Sequence, residues 1–219
     1  MCIRDRRQAM QSKAVSVTVA TDDVRIQEAM MLHGADVAMT DPDHPSGTDR
    51  LAEVARLKDW DSSAIVVNLQ GDEPLMPVAN LEQVADLLSG YPEASIATLC
   101  EPIDTGDAFQ DASVVKVVAD ASGRAHYFSR SPIPHVRGAD EAFAPSEARR
   151  HVGLYAYRVS FLADFTSQPV APLEQLESLE QLRALHCGHE IRIADAIEPV
   201  PAGVDTQKDL DAVRRLMAP

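Results

Sequence analysis

The chain has 219 residues, 45% of them hydrophobic, which suits one large α/β domain with a sizeable core. It carries 34 acidic and 20 basic side chains, and the net charge of −14 argues against a nucleic-acid or anionic-membrane partner. No apolar run approaches the roughly 20 residues that a membrane-spanning helix needs. The cysteines, Cys2, Cys100 and Cys187, match no zinc or disulfide pattern, so we expect reduced thiols in a cytoplasmic protein.

The first six residues have no helical or strand pattern and no cap. We interpret residues 1–6 as a non-native leader, and we expect the native frame to begin near Arg7, in the tail of a helix.

Strand and helix patterns then alternate along the chain. Strands are predicted over 15–20, 37–40, 64–67 and 95–99. Helices are predicted from Asp22 or Asp23 to His33, over 48–58 and over 79–89. Such alternation implies crossover units and a largely parallel sheet. The short, β-branched strand 64–67 is predicted to be buried on both of its faces.

The pattern changes after Glu101. Strands are predicted over 114–119, 125–128 and 151–159, with a loop rich in proline, glycine and charge over 131–146. A helix over 173–187, a strand over 191–196 and a helix over 205–217 follow. We therefore predict one three-layer α/β domain over 7–219, with an antiparallel excursion over 101–160.

The segment Asn68 to Pro74 carries the strongest chemical signal. It follows the strand 64–67 and contains Gly71 and Asp72. Ligands of open α/β sheets bind beyond the carboxyl ends of the strands. An acidic side chain there can hold a divalent cation on a substrate phosphate. An acidic turn between a strand and a helix is the alternative interpretation.

The segment His44 to Arg50 is a glycine-containing loop that runs into a helix. Backbone N–H groups at a helix start favour anions, and Gly47 permits close approach of a ligand. Thr48 is the expected cap, and Arg50 is the expected partner of a phosphate or carboxylate. An ordinary capped helix start is the alternative.

Three later segments place polar side chains at the ends of strands or helices. Arg130 follows an aromatic strand, and His151 opens the strand 151–159; a structural role for either is the alternative. Gly203 to Thr206 is a turn into the last helix, with Asp205 as the expected N-cap. If that turn lies beside Asp72, the two carboxylates can share one cation.

In this order and spacing, the segments resemble the 3-deoxy-manno-octulosonate cytidylyltransferases, also called CMP-Kdo synthetases. The resemblance runs from about Val17 to the C-terminus. The matching pieces are Val19 to Asp22, His44 to Arg50, Asn68 to Pro74, Val115 to Val118, Tyr127 to Pro134, Arg150 to Tyr157, Pro172 to Arg183 and Gly203 to Thr206.

The resemblance implies a three-layer, Rossmann-like nucleotidyltransferase fold and a Mg²⁺-dependent transfer of CMP from CTP to the sugar acid Kdo, for lipopolysaccharide biosynthesis. It also implies a homodimer. It makes Asp72 and Asp205 the catalytic, metal-holding residues. The residues implied to bind Kdo are Gln70, Arg130, His151, Tyr155, Glu180 and Gln181. The residues implied to bind CTP are Ser46, Gly47, Arg50 and Asp72.

One departure from the family pattern stands out. The family opens with a strand and a segment of the type A-R-x-x-S-x-R-L-P-x-K, whose cationic side chains cradle the triphosphate. This sequence contains no such segment and starts in the helix expected to follow it. We therefore expect the first strand to be missing, CTP binding to be impaired and a strand edge to be exposed.

Three alternatives to a CMP-Kdo synthetase remain open at this point. One is a related sugar-acid nucleotidylyltransferase of the same fold, such as a sialic acid enzyme. Another is a truncated, non-catalytic remnant that binds the sugar acid. The third is a structural interaction protein.

Overall fold

The computed structural model describes residues 2–138, 145–201, 203–204 and 206–216. The helices are α1 (Cys2–Ala9), α2 (Val24–Leu32), α3 (Gly47–Leu57), α4 (Val78–Ser89), α5 (Gly106–Gln110), α6 (Val159–Ser167), α7 (Pro172–Glu177), α8 (Gln181–His186) and α9 (Gln207–Leu216). The strands are β1 (Thr18–Thr21), β2 (Asp36–Met39), β3 (Ile65–Asn68), β4 (Ile96–Pro102), β5 (Lys116–Ala119), β6 (Ala125–Ser129), β7 (Arg149–Arg158) and β8 (Ile191–Asp195).

A small parallel sheet is formed by β1 and β2, with α2 connecting them. Thr18 lies opposite Asp36 in this pair. Asp23 caps α2, because its carboxylate accepts a hydrogen bond from the Arg25 N–H at 2.8 Å. The predicted crossover unit and its cap are therefore confirmed.

β7 is the strand around which the larger sheet is built. The strand order is β6–β5–β7–β4–β8, and β3 pairs with the C-terminal half of β7, where Ile65 lies opposite Arg158. β7 runs antiparallel to β3, β4 and β5, whereas β4 and β8 pair in parallel. The prediction of a largely parallel sheet is wrong here, and the residues of β3 are half-buried instead of fully buried.

The reason for this error is that an apolar pattern reports burial and not strand direction. Helices cover both faces of the sheet, so an antiparallel strand in its middle carries the same apolar residues as a parallel one. Successive residues of β7 accordingly enter two different cores. Tyr155 and Tyr157 pack with α6 and α8, whereas Leu154 and Ala156 pack with α4. The predicted three-layer arrangement follows from this alternation.

β1 pairs only with β2, and β3 pairs only with β7, so each of these strands has one edge without a strand partner among the described residues. α1 lies nearby and bridges the two sheets, since Arg6 donates to the Gly34 carbonyl at 3.0 Å and Gln8 donates to the Met76 carbonyl at 3.2 Å.

The helix predicted over 173–187 is in fact two helices. α7 ends at Glu177, Ser178 takes a left-handed conformation with φ of +52°, and α8 begins at Gln181. Such a φ is uncommon outside glycine, and nothing in the apolar pattern marks the break. Across it, Arg183 Nε donates to Glu174 Oε2 at 2.8 Å, and this buried ion pair joins α7 to α8.

Several shorter elements differ from the prediction as well. α1 forms within the segment expected to lack structure. The sequence pattern predicts neither α5, which has only 5 residues, nor α6, which follows β7 without a turn residue. Thr206 makes the capping hydrogen bonds of α9, whereas Asp205, the expected cap, lies outside the described residues. The loop over 131–146 is irregular where it is described, and 139–144 lie outside the described residues.

Across the described residues, no helix has the length and apolarity needed to span a membrane.

The Arg183–Glu174 pair should be a major contribution to stability. Glu174→Ala should lower the free energy of unfolding by about 3 to 5 kcal/mol, because it leaves the Arg183 guanidinium buried without its partner. Urea titration followed by circular dichroism measures the change. Lys13→Ala, which breaks the exposed Lys13–Glu82 pair, is the control and should have little effect. Equal losses in the two variants would contradict the assignment.

Candidate functional site

The turn after β3 is in contact with the segment that precedes Asp205. The Val204 N–H donates to the Asp72 carbonyl at 2.8 Å. A Cβ at Gly203 would stand 3.3 Å from Glu73 Oε1 and 3.4 Å from the Asp72 carbonyl oxygen, so the absence of a side chain allows the close approach. Asp205 lies outside the described residues. A shared cation requires the turn 203–206 to lie beside Asp72. Residues 203–204 of that turn do lie beside it.

The Asp72 carboxylate lies near a second carboxylate, that of Asp5. Its Oδ1 is buried and has no hydrogen-bond partner among the described residues, and neither carboxylate oxygen of Asp5 has one. Burial raises the pKa of Asp5 to about 6, and the charge of Asp72 adds to that rise. Buried polar atoms are nearly always paired. A hard cation that prefers oxygen ligands, such as Mg²⁺, fits this carboxylate. The described part of the chain contains no group of three or more metal-ligating side chains.

The N-terminus of α3 is capped by Ser46 and not by Thr48. Ser46 Oγ accepts from the Asp49 N–H at 3.2 Å and donates to Asp49 Oδ2 at 2.6 Å. Gly47 has open space where a side chain would be. The expectation that Thr48 is the cap is therefore wrong, because the helix begins one residue earlier than predicted.

Arg50 joins the ends of β1 and β2. Its Nη2 donates to Asp22 Oδ2 at 2.8 Å, and its Nη1 donates to Thr40 Oγ1 at 3.0 Å. The side chain is thus fixed next to the Ser46–Gly47 loop, with Asp22 offsetting part of its charge. Hydrogen bonding to Arg50 lowers the pKa of Asp22, so that carboxylate stays ionised.

His151 lies in a row of aromatic side chains on β7. Its ring centroid is 5.1 Å from that of Phe128 and 5.2 Å from that of Tyr155. Burial lowers the pKa of His151 to about 3, so the imidazole is neutral at neutral pH. The structure therefore makes His151 a neutral hydrogen-bonding group.

His151 makes its side-chain hydrogen bond with Thr98. The Thr98 hydroxyl oxygen lies 3.0 Å from His151 Nε2, 2.8 Å from the Leu154 carbonyl and 3.0 Å from the Val152 carbonyl. When the one hydroxyl hydrogen goes to a carbonyl, His151 Nε2 is the donor to Thr98 and Nδ1 is left as an acceptor.

Gln70 and Tyr155 lie close to His151. Gln70 Nε2 is 3.5 Å from the Gly153 carbonyl, at the limit of a hydrogen bond, so its side chain extends toward β7. Tyr155 pairs opposite Asn68 and stacks on Tyr157 at 5.5 Å between ring centroids. Burial raises the pKa of Tyr155 well above its usual value, which keeps its hydroxyl protonated.

Arg130 is held by the turn between α7 and α8. Its Nε donates to the Glu177 carbonyl at 2.7 Å and its Nη1 to the Ala112 carbonyl at 3.1 Å, with a longer 3.4 Å contact from Nη2 to the Ser178 carbonyl. All three acceptors are neutral. The guanidinium is therefore oriented without being neutralised by these contacts, and its remaining N–H groups can bind an anion.

Glu180 and Gln181 stand at the start of α8, on the same turn. Glu180 Oε1 accepts a hydrogen bond from Thr48 Oγ1 at 2.5 Å. Glu180 Oε2 and Gln181 Nε2 are buried and make no hydrogen bond within the described part of the chain. An unpaired acceptor and an unpaired donor thus occupy adjacent residues.

Sequence reasoning missed two residues that fix the Arg130 loop. Glu177 accepts hydrogen bonds from Ser129 Oγ at 2.6 Å and from the Arg130 N–H at 2.9 Å. Burial acts to raise the pKa of Glu177, but these hydrogen bonds outweigh it and lower the pKa. Lys116 is fully buried and donates to the Arg130 carbonyl at 2.6 Å. Lys116 was detectable as the one charged residue in an apolar strand, whereas Glu177 gives no sequence signal.

The structure therefore connects most of the predicted sugar-acid residues. Gln70 reaches β7, which carries His151 and Tyr155, and the turn between α7 and α8 carries Glu180 and binds Arg130, which follows β6. Of the predicted nucleotide residues, Ser46, Gly47 and Arg50 share the start of α3. Thr48 connects that helix to Glu180.

Neutral His151 should make the protein sensitive to acid. The folded-state pKa of about 3 lies below the usual unfolded value of about 6.5, so the contribution to stability is complete above 6.5 and is lost as the pH falls toward 3. Between pH 7 and pH 5, wild type should lose about 2 kcal/mol more of its unfolding free energy than His151→Gln does. Urea titrations at both pH values test this, and parallel losses would contradict it.

Comparison with known proteins identifies the family of this chain. A family model described as cytidylyltransferase matches residues 4–191. The 3-deoxy-manno-octulosonate cytidylyltransferase of Acinetobacter baumannii (strain AYE) is 53% identical over 201 residues, covering 90% of this chain and 79% of the relative. That of Chromohalobacter salexigens is 53% identical over 222 residues, covering 100% and 86%.

A solved structure of CMP:2-keto-3-deoxy-manno-octonic acid synthetase complexed with CTP matches with a TM-score of 0.90 and 40% identity, covering 99% of this chain and 86% of that one. The match confirms the predicted nucleotidyltransferase fold. The chain therefore belongs to the cytidylyltransferase family, among the 3-deoxy-manno-octulosonate cytidylyltransferases.

Proposed function

We propose that this chain transfers CMP from CTP to 3-deoxy-D-manno-octulosonate (Kdo), giving CMP-Kdo and pyrophosphate for lipopolysaccharide biosynthesis in the cytoplasm. The observation that carries the proposal is the contact between residues 203–204 and the Asp72 turn. It occurs in a chain whose relatives are named 3-deoxy-manno-octulosonate cytidylyltransferase. A structural neighbour was solved with CTP bound. The anomeric hydroxyl of Kdo attacks the α-phosphorus, and the bond from that phosphorus to the pyrophosphate oxygen breaks.

Asp72 and Asp205 would hold Mg²⁺. The buried, unpartnered Asp72 Oδ1 supports this role for Asp72, and the contact of residues 203–204 with the Asp72 carbonyl brings the chain next to Asp205 to the same turn. When bound, Mg²⁺ supplies positive charge that offsets the charge of the transferring phosphates. The chain's own part in the reaction is to position the two substrates.

The acceptor would bind between β7 and the turn of α7 and α8. Arg130 pairs with the Kdo carboxylate, because a guanidinium matches a carboxylate and the guanidinium of Arg130 donates to backbone carbonyls. Kdo hydroxyls bind to neutral or acceptor groups. Those groups are Gln70, His151, Tyr155, Glu180 and Gln181.

The nucleotide would bind at the start of α3. The N–H groups of the first turn there favour phosphate oxygens, and the open space at Gly47 admits a ligand. Ser46 and Arg50 border this space. Asp72 would contribute to nucleotide binding by holding a cation that offsets the phosphate charge.

We also infer a homodimer, which rests on the family resemblance. Sedimentation velocity on the purified chain tests it, and a single species of about 24 kDa at micromolar concentration would count against it.

Replacing Asp72 tests the metal assignment. Asp72→Asn should reduce Mg²⁺-dependent pyrophosphate release from CTP and Kdo by about a hundredfold or more. It should leave the unfolding midpoint unchanged or slightly raised, because the neutral amide no longer repels Asp5. Asp164→Asn, on the exposed surface of α6, is the matched control and should affect neither quantity. A fall in stability that parallels the loss of activity would make Asp72 a structural residue.

Replacing Arg130 tests the acceptor assignment. Arg130→Ala should raise the dissociation constant for Kdo about tenfold or more, while the affinity for CTP is largely kept. Arg130→Lys should recover only part of the loss, because an ammonium group cannot bind a carboxylate through two parallel hydrogen bonds. Isothermal calorimetry measures both ligands. Equal weakening of CTP and Kdo would assign Arg130 to the scaffold.

A further inference from the structure

A buried hydrogen bond joins the start of α3 to the start of α8. Thr48 Oγ1 donates to Glu180 Oε1 at 2.5 Å, across 132 residues of sequence. Thr48 is 1% exposed. Because Ser46 caps the helix, the Thr48 hydroxyl is not needed for capping and lies in the protein interior instead.

Tyr157 extends this contact into a chain of hydroxyl groups. Its OH lies 3.4 Å from Thr48 Oγ1, and its side chain is buried between the sheet and α6. Burial raises the pKa of Tyr157, and the charge of Glu180 adds to the rise, so the phenol stays protonated. Thr48 has one hydroxyl hydrogen, which goes to Glu180, so Tyr157 is the donor to Thr48.

The result is a carboxylate with one fixed oxygen and one available oxygen. Thr48 holds Glu180 Oε1, whereas Oε2 is buried and makes no hydrogen bond within the described residues. Gln181, which is 5% exposed, has its Nε2 buried in the same unpaired state. Unpaired buried groups of this kind are costly unless a ligand satisfies them.

We propose that Thr48 is a positioning residue for the sugar-acid acceptor. By holding Oε1, it directs Oε2 of Glu180 toward a hydroxyl group of the acceptor, beside the Gln181 amide. This inference rests on the proposed function, because it takes Glu180 and Gln181 as acceptor ligands. It adds that acceptor affinity depends on the helix whose first residues border the nucleotide site.

The test measures the affinity for Kdo by isothermal calorimetry in the wild type and four variants, one of which is Glu180→Ala. Thr48→Val keeps the shape of the side chain but removes the hydroxyl, and it should raise the dissociation constant about tenfold. Thr48→Ser keeps the hydroxyl and should stay within about twofold of wild type. The double variant Thr48→Val with Glu180→Ala should bind no more weakly than Glu180→Ala alone, because Thr48 acts only through Glu180.

The outcomes separate this inference from the proposed function. Weaker binding by Glu180→Ala with normal binding by Thr48→Val overturns the role of Thr48 alone. Normal binding by Glu180→Ala removes Glu180 from the acceptor site and overturns this inference, whereas the absence of Kdo binding by the wild type would count against the proposed function itself. Additive losses in the double variant would mean that Thr48 acts through general packing. If Thr48→Val does not fold, Thr48→Ala removes the same hydroxyl with a smaller side chain and is expected to give the same loss.

Discussion

The placement of β7 is the constraint on which the rest of the structure depends. This one strand pairs with β3, β4 and β5, and its alternating side chains enter cores on both faces of the sheet. A shift of one residue in its register would exchange the two sets of side chains. It would also move His151 and Tyr155 away from the turn that follows β3. The packing of the cores therefore fixes the geometry of the candidate acceptor site.

Buried polar groups divide the molecule into a scaffold and a site. In the scaffold they are satisfied: Lys116 donates to backbone carbonyls, and Arg183 pairs with Glu174. At the site they are not, since Asp72 Oδ1, Glu180 Oε2 and Gln181 Nε2 lack partners among the described residues. A folded chain tolerates such groups only where something offsets their cost, and ligand binding is the general reason for keeping them. The carboxylate of Asp5 and Nε of Arg6, both in α1, are unpaired as well, so the difference marks the site only together with the comparison with known proteins.

Part of the fold and of the candidate site could be predicted from the sequence, and particular residues show why the rest could not. Strand–helix alternation and the cap at Asp23 are local properties, and they were predictable. The antiparallel excursion over 101–160, which contains β7, was predicted as well, but the place of β7 in the middle of the larger sheet was not, because the sequence of a strand does not identify its partners. The break at Ser178 was not, since a left-handed residue other than glycine has no local signature. The role of Thr48 depends on Glu180, 132 residues away, so no short segment contains it.

The net charge of the chain limits how it can bind anionic substrates. A chain with a net charge of −14 is proposed to bind two anionic substrates, so its few local cations must act at short range. Arg50 is paired with Asp22, whereas the guanidinium of Arg130 donates to backbone carbonyls. The carbonyls orient Arg130 without forming an ion pair, so its charge stays available to a carboxylate. Arg50 retains less free charge, and on its own it is the weaker anion site. This contrast favours Arg130 as the stronger determinant of acceptor binding and leaves the phosphates to the α3 backbone and to the cation proposed at Asp72.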